Sequence, residues 1–96
     1  MPYQLLTEAE ILPLARAAVD EAFAGTPVAG SPISVHRRSL DIDPDYVEIA
    51  VALPSQVDRV NPRMSARAMS SVAQQAAAKG DGRVFVMRPI WAEKAA

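Results

Sequence analysis

The chain has no cysteine. That absence excludes disulfides, a thiolate nucleophile and cysteine-based zinc sites, and it suits the reducing environment of the cytoplasm. No stretch approaches the apolar length needed to span a bilayer, so no membrane role is expected. Met1-Pro2-Tyr3-Gln4 lacks the basic segment and apolar run of a secretory signal. There is no Gly-x-Ser-x-Gly elbow and no phosphate-binding glycine loop in a strand–loop–helix setting, so no enzyme activity and no cofactor are expected. Aromatic residues make up 5% of the chain, and much of the 50% hydrophobic content is alanine, which buries little area. A core so built is thin. The expected stability of a lone chain is about 5–8 kcal/mol, to which self-association would add by mass action.

Ninety-six residues make a single domain, 1–96. The net charge of −1 hides an asymmetry: residues 1–50 hold three basic and eight acidic side chains, whereas residues 51–96 hold seven basic and three acidic. Such a layout either neutralises itself within the fold or marks an acidic and a basic surface.

Thr7-Glu8-Ala9-Glu10 has the form of a capping box, with Leu6 placed to staple onto Ile11. Apolar residues at Ile11, Leu14, Ala15, Ala18, Val19, Ala22 and Phe23 predict a helix that stops near Gly25. Pro13 should bend its first turn; the alternative is a short turn at 8–11 and a main helix starting near Leu12. Ile33 to His36 alternates as a strand. The apolar parity then flips to Leu40 and Ile42, which predicts a bulge at Arg37-Arg38-Ser39. After the turn at Asp43-Pro44-Asp45, a second strand runs from Tyr46 to Leu53, with Val47, Ile49, Val51 and Leu53 on one face. Asn61-Pro62 opens a second helix that closes at Lys79-Gly80, with Met64, Ala68, Val72 and Ala76 as its apolar stripe. A last strand is predicted over Arg83 to Arg88. Pro89 either ends its ladder or places it at a sheet edge.

The expected fold is therefore α+β: a two-layer sandwich of order α-β-β-α-β, with a three-stranded mixed sheet and two helices. Within it, Val84-Phe85-Val86-Met87 is apolar at both parities. Two helices on one sheet face would leave either Val84 and Val86 or Phe85 and Met87 facing water. A protein partner or a second copy of the chain is the expected cover. Phe85, Met87, Ile90, Trp91 and Tyr46 are the candidate contact residues, since large apolar and aromatic groups are enriched in interface cores. Trp91 has an alternative place, folded back over its own sheet edge.

Asp41, Asp43 and Asp45 resemble the front of a calcium loop. Tyr46 stands where that loop needs glycine and Ala52 where it needs glutamate, so an aspartate-rich turn is expected and no metal site. His36 has no nucleophile and orienting group implied around it and reads as a solvated strand residue. Gly80-Asp81-Gly82 reads as a turn. Arg59, Arg63 and Arg67, with Arg37 and Arg38, form the second candidate site, a basic patch for phosphate or nucleic acid. The alternative is a solvated face paired with carboxylates such as Asp58. The functional expectation is a small non-enzymatic interaction or assembly module, with nucleic-acid association as the alternative.

Overall fold

The computed structural model describes residues 5–38 and 46–91. Five elements follow in the expected order: α1 (Glu8–Ala22), β1 (Ile33–Arg38), β2 (Tyr46–Leu53), α2 (Pro62–Ala78) and β3 (Val84–Trp91). β2 is central, antiparallel to β1 and parallel to β3, which makes a mixed three-stranded sheet. α1 lies over β1, α2 lies over β3, and the two helices pack side by side.

The caps form as the sequence predicts. Thr7 Oγ1 accepts from the Glu10 amide at 3.1 Å, and Glu10 Oε1 accepts from the Thr7 amide at 2.9 Å. The Thr7 amide and hydroxyl together hold the Glu10 carboxyl below its ordinary pKa. Thr7→Ala should cost about 1 kcal/mol in a denaturant melt, while Thr7→Asp, which can still accept from the helix amides, should be tolerated. Equal losses would remove the cap from the account. Pro13 neither ends nor splits α1, which is one continuous helix. Beyond its cap at Phe23, the chain turns at Gly25, whose φ of +81° favours glycine. Asn61 caps α2 through its side-chain oxygen, bonded to the amides of Arg63 and Met64.

Register decides which side chains meet. Val35 and Ile33 stand opposite Ile49 and Val51, and Phe85 and Met87 stand opposite Val47 and Ile49. All face the helices. Ile11, Val19, Phe23 and Val72 complete this core from the helical layer. The pairing of β1 with β2 is unbroken from Ile33↔Val51 to Arg38↔Tyr46, so the predicted bulge does not disturb Arg37 or Arg38. Ser39 and the Asp41–Asp45 turn lie outside the described residues.

β3 is longer than the sequence suggests. It continues through Pro89 to Trp91, with Pro89 opposite Val51. A proline is tolerated there because β3 is an edge strand with one unpaired side.

Candidate interaction surface

The two helices cover one face of the sheet, and among the described residues no element covers the other. β2 contributes Tyr46, Glu48, Ala50 and Ala52 to that open face, and β1 contributes Ser34, His36 and Arg38. From β3 come Val84, Val86, Arg88 and Ile90. Val84 is 59% exposed, Ile90 43% and Val86 37%, and the exposed Arg88 stands between Val86 and Ile90.

This placement divides the contact residues expected from sequence. Phe85 and Met87 point the other way: Phe85 belongs to the core and Met87 packs against it. As the strand alternates, the outward set is Val84, Val86 and Ile90. Tyr46 is half-buried on the open face, opposite Val84. Trp91 is 45% exposed. Its indole N–H donates to the Val57 carbonyl at 2.8 Å, which ties the end of β3 to the connector before α2.

Beside Val84, Val86 and Ile90, Glu48 is nearly buried although it lies on the open face. Arg38 and Arg88 converge on its Oε1, at 3.5 and 3.2 Å. Burial pushes the Glu48 carboxyl up, but the hydrogen bonds from Arg88 and Arg38 outweigh it and leave the pKa below the ordinary glutamate value. His36 is opposite Glu48 in the ladder, yet its Nε2 lies 2.9 Å from the Ser34 hydroxyl. The open face thus carries the apolar side chains of β3, interrupted by Arg88, beside the Glu48 cluster that joins all three strands.

The basic residues do not form one patch. Arg37 and Arg38 sit beside Val47 and Tyr46, at the start of β2. α2 runs back against β3, because the Asp81 amide bonds to the Ala76 carbonyl near the start of β3, while Ser65 reaches Met87. Arg59 and Arg63 therefore lie toward the opposite end of the sheet. Arg59, Arg63 and Arg67 are exposed, and Asp58 makes no ion pair with them.

Two polar clusters were not legible in the sequence. Asp81, read as a turn residue, is fully buried. Its carboxylate accepts from the Leu6 amide at 3.1 Å and from the Arg83 guanidinium at 2.7 Å, and Arg83 also donates to the Leu6 carbonyl at 2.9 Å. This clamp joins the segment before α1 to the start of β3. A sequence signal was available only in part: Asp-x-Arg marks a local pair, but not the distant backbone it holds. The second cluster is Arg16, bidentate on Asp20 and bonded to the Ser31 carbonyl, with the Gly30 amide donating to Asp20. It pins the proline-rich loop onto α1.

A cleft of about 310 Å³ opens between the start of α1 and the sheet, lined by Leu5, Glu8, Ile11, Arg37, Val47 and Arg83. Arg83 is committed there to Asp81. A flatter groove lies between the loop at Pro27–Pro32 and the end of β2. Thr7 also lines the first cleft, where its hydroxyl oxygen accepts from the Glu10 amide. Among the described residues, no three carboxylate, histidine or cysteine side chains are grouped to hold a metal, and no helix is long and apolar enough to cross a membrane. No family model matches the sequence, and comparison with the curated proteins and with the solved structures gives no match.

Proposed function

We propose that this chain is a small protein-interaction or assembly module without catalytic activity, acting as a subunit of a homo-oligomer or of a larger complex in the cytoplasm. The observation that carries the reading is the exposure of Val84, Val86 and Ile90 on the open sheet face. Apolar side chains aligned on one face gain about 25 cal/mol for each Å² removed from water. The thin core raises the value of any further burial. Pro89 removes a backbone donor from β3, which blunts edge-to-edge pairing and leaves the face itself as the contact.

Light scattering from low to high micromolar concentration tests this. The parent chain should show a rising mean mass. Val86→Lys should give a folded monomer, because Val86 lies on the open face, where a lysine ammonium stays in water. Phe85→Lys is the contrast: it places the charge under α2 and should unfold the chain. A parent that stays monomeric throughout, with Val86→Lys behaving identically, would sink the self-association form of the proposal.

A further inference from the structure

We infer that the outer face of α2, with the arginine just before it, is a docking surface for the phosphate backbone of double-stranded nucleic acid. The surface is separate from the open sheet face, since α2 lies on the covered side.

Residues 59–80 contain no aspartate or glutamate. Within that stretch Arg59, Arg63 and Arg67 follow at intervals of four residues, and all three are exposed. Arg63 and Arg67 are one helical turn apart, about 6 Å along the axis, so they share a face. No ion pair holds any of them. Glu21 shares a small groove with Arg67 but makes no bridge to it. Helix stability does not account for the arrangement either. Cations in the first turn oppose the helix dipole, and the first turn of α2 has no acidic residue to offset them.

The same outward side continues with Ser70 and Gln74, then alanines. Arginine, serine and glutamine are side chains that donate to phosphate oxygens. An acidic protein would be met by the same charges, but a protein interface needs large apolar or aromatic anchors at its centre. The exposed part of α2 carries none; its apolar members are Pro62, Ala66, Ala77 and Ala78. Single strands are held by aromatic platforms on which bases stack, and these too are missing from the face. Charge without anchors and without aromatics matches the backbone of a duplex. Arg37 and Arg38 lie at the far end of the sheet and take no part.

Fluorescence anisotropy of a labelled random-sequence DNA duplex, read across a salt series, tests the inference. Three phosphate contacts should give a plot of log K against log salt with slope of about −2.7. The double variant Arg63→Gln, Arg67→Gln should flatten the slope to about −0.9, with an unchanged circular dichroism spectrum. Arg38→Gln should leave binding as in the parent. The inference is overturned if the parent does not bind the duplex at low salt, or if the double variant keeps the parent slope. It is equally overturned if a poly-glutamate peptide of the same charge binds as tightly as the duplex, since the surface would then be reading acidic protein.

Discussion

Asp81→Asn should cost about 3–5 kcal/mol, the loss expected when one partner of a buried ion pair is removed. Asp81 is 0% exposed, and the Arg83 side chain bonded to it is 10% exposed. Asparagine keeps the shape but leaves the guanidinium without a counter-charge, and its amide group places donors where the carboxylate accepted from the Leu6 amide and Arg83. Set against an expected total of about 5–8 kcal/mol, that loss approaches unfolding. Chemical denaturation measures it directly, and a loss below about 0.5 kcal/mol, typical of surface changes, would mean that the clamp is not a stabilising contact. The clamp also predicts acid sensitivity. Burial pushes the Asp81 carboxyl up, but the bonds from Arg83 and the Arg83 and Leu6 amides prevail and hold its pKa below the ordinary aspartate value. A pKa depressed in the folded state contributes stability that is present above the unfolded pKa and lost as pH falls through the folded one. The parent should therefore lose stability below the usual carboxylate range, and Asp81→Asn should show a shallower fall over the same window.

Ile49→Ala should lose about 2–5 kcal/mol through removed contacts and the cavity left behind. Ile49 is 0% exposed, at the middle of the central strand, with Val35 and Met87 as its cross-strand neighbours. Thermal or denaturant unfolding gives the number. A change within about 0.5 kcal/mol would place Ile49 on the wrong face of β2 and invert the sidedness of the whole sheet, including the assignment of Val86 to water.

Much of the architecture was legible because its signals are local. A capping box, an Asn-Pro start and a glycine stop act over a few residues, and each gave a helix end within a residue or two of its place. β2 was legible because its parity is unambiguous: Val47, Ile49, Val51 and Leu53 are more apolar than the alanines and glutamate between them. β3 ran past its predicted end because a proline inside a strand is permitted or forbidden by the neighbour it lacks, and strand order is not written in the strand itself.

The candidate site was legible in part, and what was missed follows from the same distinction. The chain by itself determined that β3 is apolar on both faces and that a two-helix layer would leave one face bare. Which face was undecided, because valines alternate there with phenylalanine and methionine and no polar residue breaks the tie. The tertiary structure decided it: parallel register sets Phe85 beside Val47, under α2, and turns Val84 and Val86 outward. It likewise separated arginines that sequence grouped by type, and it buried an aspartate that stands between two glycines. In each case the deciding quantity is proximity across the fold, which depends on strand order and on which face the helices cover, whereas hydrophobic periodicity and capping chemistry are settled within a turn or two of the chain.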